Sequence, residues 1–164
     1  TEIEQMLGYL GKESVYHAHI ATGELHIRPV LNIKDIEEVK LLRLISENTA
    51  RIVKRYHGSM SGEHGDGRLR GEFIPIIIGE RNYQLNKDLK HIFDSKNIFN
   101  PGKIINTPPM DENLRYVPGR LTAEFNTWYD FSDTGGFVRT AEKCNGSGDC
   151  RKSAATWTTA MARR

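Results

Sequence analysis

The chain is expected to fold as α+β: part of an antiparallel sheet covered by helices, followed by an irregular C-terminal tail. Three observations predict this. Residues 14–32 alternate in polarity around a glycine-containing turn, the pattern of a β-hairpin. Residues 35–57 and 80–94 carry apolar side chains at helical spacing. From Asn106 onward the periodicity fades, and Pro108, Pro109, Pro118 and Gly119 punctuate the chain.

The 164 residues are enough for a domain with a real core. The formal charge is +2, and the basic residues are scattered and not interleaved with aromatics, which excludes a nucleic-acid footprint. No apolar run approaches the ~20 residues of a membrane helix. No signal-peptide pattern is present, and the chain starts at Thr1 as if mid-protein, so a fragment of something larger is expected.

Taken in order, residues 1–13 read as a short helix with Ile3, Met6, Leu7 and Leu10 on one side and Gly11 at its end. In the hairpin, Val15 to Ile20 and Leu25 to Val30 form the strands, and Ala21-Thr22-Gly23-Glu24 forms the turn. Pairing Ile20 with Leu25 sets His19 opposite His26 and His17 opposite Arg28. Side chains alternate faces, so His17, His19, His26 and Arg28 share one face. Tyr16, Ala18, Ile20, Leu25 and Ile27 share the other, which is expected to be buried. Residues 35–57 form the most secure element, with Asp35 and Glu38 as a capping box and an apolar stripe running from Ile36 to Tyr56. Gly58 is the expected stop. The run Phe73 to Ile78 is either a helix with Pro75 in its first turn or a buried strand. Residues 80–94 form a helix with Tyr83, Leu85, Leu89, Ile92 and Phe93 as its apolar members. Residues 106–140 are a linker, wrapped on the domain surface or poorly ordered; Trp128, Tyr129, Phe131 and Phe137 argue that part of it docks.

The chemistry concentrates in Gly62-Glu63-His64-Gly65-Asp66-Gly67-Arg68, where glycines free the backbone for positive φ angles and close ligand approach. The helix 35–57 carries the chain from the hairpin to this loop. His19, His26 and Glu63 then make a two-histidine, one-carboxylate set for a divalent metal; Zn²⁺ accepts it with an open position, and Mn²⁺ accepts similar sets. The bland alternative leaves His19 and His26 as surface residues on a solvated strand face. His64, expected to point away from its neighbour Glu63, is the natural general base. Asp66 and Arg68 read as an internal ion pair that holds the loop. Arg28 faces the metal set and suits a carboxylate.

These residues carry a resemblance. His19 and His26, then Ser61 to Arg68, then Asn100-Pro101-Gly102-Lys103, in that order, resemble the C-terminal cap domain of FAD-linked oxidases of the vanillyl-alcohol-oxidase type. D-lactate dehydrogenase, D-2-hydroxyglutarate dehydrogenase and the glycolate oxidase flavin subunit are members. The resemblance covers roughly residues 14–105 and implies metal binding by His19, His26 and Glu63. It implies that His64 takes the hydroxyl proton, that hydride passes to FAD, and that Arg28 contacts a small 2-hydroxy acid. It sets Asn100 and Lys103 near the flavin. The chain departs from the pattern where many members have Gly-Asn-Leu-His and this one has Gly23-Glu24-Leu25-His26. Arg28 stands where simpler members carry asparagine, and nothing here resembles the FAD-binding half.

Cys144 and Cys150 read as two thiols of a reducing compartment, as a short and weakly stabilising disulfide loop, or as part of a metal or cluster site. The segment from Lys143 to Lys152 resembles the opening of a ferredoxin-like module, which implies two of the four thiolates of a [4Fe–4S] cluster. The expected organisation is therefore 1–105 as a partial FAD-linked oxidase C-terminal domain, 106–140 as a linker and 141–164 as a truncated iron–sulfur segment. The expected function is that of a fragment of an FAD-dependent D-2-hydroxy-acid dehydrogenase, inactive alone, with electrons passing to the iron–sulfur centre. Its partners would be the FAD-binding and iron–sulfur domains of the parent chain. The expected location is cytoplasmic or peripheral to the inner face of a membrane. The competing reading is a non-catalytic metal-binding module, which would have metal affinity without a flavin partner.

Overall fold

Residues 1–120, 123, 125–144 and 148 are described by a computed structural model. They fall into two units, Thr1–Arg120 and Leu121–Arg164. In the first, α1 (Glu2–Tyr9) opens with a capping box: the Thr1 hydroxyl accepts from the Glu4 N–H, and the Glu4 carboxylate reaches back to the Thr1 nitrogen, both at 3.1 Å. Leu7 is its buried residue, and Gly11 at φ +64° turns the chain into the hairpin.

The strands are β1 (Ser14–His19) and β2 (Glu24–Pro29), antiparallel. Ala18 pairs with Leu25, His17 with His26 and His19 with Glu24. The expected pairing of His19 with His26 and His17 with Arg28 is therefore corrected by two residues. The cause is the turn. The His19 carbonyl accepts from the Thr22 and Gly23 N–H groups at 3.2 and 3.0 Å, so β1 ends at His19 and the four-residue loop begins one position early. A slip of two preserves side-chain parity, whereas a slip of one would have reversed the faces. His17, His19, His26 and Arg28 still share a face, and Glu24 joins them.

The opposite face is not buried as expected. Tyr16, Ile20 and Leu25 are exposed, Leu25 at 57%. This narrow hairpin and the long helix that follows do not close on each other. A cleft of about 790 Å³ separates them, lined by Leu25 and Ile27 on one side and Leu42, Ile45 and Ile52 on the other.

That helix, α2 (Ile36–Arg55), starts at Asp35, whose carboxylate accepts from the Glu37 N–H at 2.9 Å. Glu38 does not complete a capping box; it pairs with Lys12 instead. At the other end His57, not Gly58, takes the left-handed position, at φ +54°. The His57 N–H donates to the Lys54 carbonyl and the Gly58 N–H to the Val53 carbonyl, a Schellman closure.

The segment 71–78 is helical: a 3₁₀ turn at Gly71–Phe73 runs into α3 (Ile74–Ile78), with Pro75 in the first turn where its missing N–H costs nothing. In α4 (Glu80–Phe93) only Tyr83 is buried; Leu85, Leu89, Ile92 and Phe93 are exposed. The core gathers Ala50, Phe73 and Met110, with Leu42, Met60, Ile76 and Ile77 against them. Met110 belongs to the stretch expected to be a linker. Its N–H donates to Glu72 at 2.8 Å, and Glu72 also takes two hydrogen bonds from Arg43, which reaches Asp111 at 3.0 Å. The Glu72 bond, more than any other contact, raises the Arg43 guanidinium above its usual range.

In the second unit a 3₁₀ turn at Ser132–Thr134 precedes α5 (Phe137–Glu142). Phe125 and Phe131 meet Phe137 edge-on, at 6.2 and 5.5 Å between ring centroids. Trp128 and Tyr129, expected to dock, are exposed, Trp128 at 97%. Among the described residues no helix is long and apolar enough to cross a membrane.

Candidate metal centre

The ends of β1 and β2 carry the hairpin's contribution. His19 is the last residue of β1, and Glu24 and His26 lie on β2 two residues apart, hence on one face. The two imidazoles are diagonal neighbours with ring centroids 5.0 Å apart. Glu63 arrives from the glycine-rich loop after α2. His19 Nε2 lies 3.7 Å from Glu63 Oε2 and 3.6 Å from Glu24 Oε1. His26 Nε2 lies 3.5 Å from Glu63 Oε1 and 3.2 Å from Glu24 Oε1. One ligand atom from each of the four residues falls within 4.8 Å of all the others.

Two neutral nitrogens and two carboxylates converging on one point suit a divalent cation. The surroundings fit one as well: Glu24 Oε1 is buried and makes no hydrogen bond. Glu24 is the residue that sequence reasoning missed. Placed in the turn, it had no assigned face, although its spacing from His26 already put both on one side of any strand containing them. His17 sits directly opposite His26 but is not one of the converging donors.

The loop holds Glu63 through close packing at Gly62. A β-carbon on Gly62 would stand 2.9 Å from the Glu24 β-carbon and closer still to its carboxylate, so the loop can lie over Glu24 only with glycine there. Gly65 and Gly67, at φ +75° and +57°, then bend the loop back. The expected divergence of Glu63 and His64 is not observed: His64 Nε2 lies 2.7 Å from Glu63 Oε1. His64 is otherwise open to solvent, 76% exposed.

The expected Asp66–Arg68 ion pair does not form. Arg68 donates to the Glu112 carbonyl at 3.2 Å. Asp66 Oδ1 is buried without a hydrogen bond, and burial raises its carboxyl above the ordinary range, with the Arg70 charge offsetting part of the shift. The Asn100–Lys103 turn is tied to this loop, since the Ile104 N–H donates to the Gly67 carbonyl at 2.7 Å. Asp94 shapes the same turn by accepting from the Ile98 and Phe99 N–H groups, and its contact with Lys90 holds its carboxyl below the usual range. The Asn100 and Lys103 side chains are exposed and make no hydrogen bond or ion pair to the four converging residues. Arg28 is exposed on the histidine face, opposite Val15. Cys144 is exposed just after α5, whereas Cys150 lies outside the described residues.

A family model described as FAD linked oxidases, C-terminal domain, matches residues 1–104, the span that holds all four converging residues. The chain is similar to D-2-hydroxyglutarate dehydrogenase of Pseudomonas putida strain KT2440, 38% identical over 139 residues that cover 80% of this chain and 13% of that protein. It is also similar to the D-2-hydroxyglutarate dehydrogenase of Escherichia coli K12, 30% identical over 149 residues, covering 91% of this chain and 14% of that protein. Glycolate oxidase subunit GlcD of Bacillus subtilis is 27% identical over 86 residues, covering 52% of this chain and 18% of that protein. Against the two D-2-hydroxyglutarate dehydrogenases the chain thus spans 13–14% of their length. No solved structure matches it.

Proposed function

Since the chain belongs to the family of FAD linked oxidases, through their C-terminal domain, we propose that it forms the metal- and substrate-binding part of an FAD-dependent oxidoreductase acting on a D-2-hydroxy acid. The observation that carries this reading is the convergence of His19, His26 and Glu63 at ligand distances from one another. In this reading those three residues hold a divalent ion, Zn²⁺ or Mn²⁺. When bound, the ion supplies Lewis acidity toward a substrate hydroxyl. FAD, which would be held mainly by a region that precedes this one in the family, would supply the hydride acceptor.

The chain's own residues do the rest. His64, beside Glu63 at the edge of the cluster, takes the hydroxyl proton, and the exposure of the ring gives that proton a way out to solvent. Arg28, on the same face as His26, pairs with the substrate carboxylate through its two-pronged guanidinium. The bond from Ile104 to Gly67 ties the Asn100–Lys103 turn to the catalytic loop, which supports a place for Asn100 and Lys103 at the flavin edge. Residues 1–105 act as the oxidase domain, 106–140 as a linker whose first part packs into that domain through Met110 and Asp111, and 141–164 as the start of an iron–sulfur segment. Cys144 and Cys150 there would supply two of the four thiolates of a [4Fe–4S] cluster, a group that serves as an electron acceptor. The setting is cytoplasmic, or peripheral to the inner face of a membrane.

The test is flavin reduction. The segment joined to the FAD-binding region of a D-2-hydroxyglutarate dehydrogenase relative should bleach its flavin with D-lactate, glycolate or D-2-hydroxyglutarate once Mn²⁺ or Zn²⁺ is supplied. A metal-loaded, flavin-bound protein that none of the three reduces would leave the region as a binding module only.

A further inference from the structure

We infer that Glu24 is a fourth protein ligand of the ion held by His19, His26 and Glu63. The inference rests on the metal reading above and adds a fourth residue to its ligand set. The directions of the imidazoles carry the argument. A carboxylate that merely orients a metal-binding histidine contacts the ring nitrogen facing away from the ion. Glu24 Oε1 instead faces His26 Nε2 at 3.2 Å and His19 Nε2 at 3.6 Å, and these are the same two nitrogens that face Glu63. Two ligands about 2.1 Å from a metal stand about 3.0 Å apart at right angles and about 3.4 Å apart in a tetrahedron. The four nitrogen–oxygen separations are 3.2 to 3.7 Å, and all four ligand atoms lie within 4.8 Å of one another, so a modest contraction would bring them to coordination distance.

Burial and charge agree. The Glu24 side chain is 13% exposed, and its inward oxygen is buried with no hydrogen bond. A carboxylate oxygen withdrawn from water without a donor is costly, and a second carboxylate beside it adds repulsion. A divalent cation between Glu24 and Glu63 removes both costs, since the two acids balance its charge. Gly62 is shaped to admit Glu24, because any β-carbon there would strike it. With four protein ligands, substrate access would need the ion to accept a fifth ligand, which Mn²⁺ does readily and Zn²⁺ by expanding its tetrahedral shell.

The test uses the chain stripped with a chelator and titrated with Mn²⁺ or Zn²⁺ against a fluorescent competitor, with circular dichroism as the check on folding. Glu24→Asn, which removes the charge, and Glu24→Asp, which keeps the charge but withdraws the oxygen, should each weaken binding. The Glu24→Asn loss should exceed the 10- to 100-fold typical of a residue that only orients a ligand. The Co²⁺ complex should also change its visible absorption, as expected when the ligand set changes. If Glu63→Gln weakens binding while both Glu24 variants bind and absorb like the unaltered chain, Glu24 is not a ligand and the three-residue site stands. If the unaltered chain binds neither ion, the metal reading itself falls, and this inference with it.

Discussion

Glu63 and His64 are neighbours in the chain and in space, 2.7 Å apart at their closest atoms, so substitution is what separates their roles. In the full-length parent, Glu63→Gln removes a charged ligand, and metal content should fall together with turnover. His64→Asn leaves the ligand set intact, so metal should remain while turnover drops by about 10²–10⁴-fold, the usual loss for a general base. Metal analysis beside steady-state kinetics checks both, and a reversed pattern would exchange the assignments. Gly62→Ala removes no ligand, yet its new methyl group would push Glu24 off the cluster. Metal affinity should fall about tenfold or more, as when a ligand loses its support, and the fall should shrink in a Glu24→Asn background. At this scale the sequence was informative wherever parity alone decided the answer. His19 and His26 came out on one face despite a misjudged register, because a two-residue slip leaves parity unchanged. The approach of His64 to Glu63 was not legible, since it depends on the torsions of the two residues themselves, which composition does not fix.

Among the elements, α2 was the most readable because its stripe and its N-cap are local patterns. Its C-terminus was less so: the left-handed position falls on His57, which no propensity favours over the adjacent Gly58. The helical state of residues 74–78 also needed the fold, since a short apolar run suits a strand equally well. Met110 in the core depends on contacts distant in sequence, chiefly Glu72, which fastens Met110 and Arg43 together. Glu72→Ala should therefore cost about 1.5–3 kcal/mol, the range for hydrogen bonds to a charged group. Urea unfolding followed by far-ultraviolet circular dichroism measures it. A loss within experimental error would mean that burial of Met110 alone anchors the segment.

For the whole molecule the notable property is how much apolar surface faces outward. Leu85, Leu89, Ile92 and Phe93 of α4, with Ile98 and Phe99 beyond it, are exposed, and so are Tyr16 and Leu25 of the hairpin. Patches of this kind mark contact faces, and the chain spans 13–14% of the length of its D-2-hydroxyglutarate dehydrogenase relatives. The chain should bind a hydrophobic dye and self-associate as concentration rises, and Leu89→Glu with Phe93→Glu should reduce both; sedimentation velocity checks the association. A chain that stays monomeric and dye-silent would mean that these side chains pack in solution. The cleft between the hairpin and α2 has a further, topological consequence. With little packing across it, an ion shared by His26 and Glu63 would act as a cross-link. It would close a loop of roughly 37 residues around α2, and a permanent tie of that span removes about 4 kcal/mol of unfolded-chain entropy. The hairpin would then be a hinged flap that the cation latches. Stripping the cation should speed amide exchange across residues 14–29 and leave the centre of α2 protected, whereas equal exchange with and without chelator would show that the flap is held by its own packing.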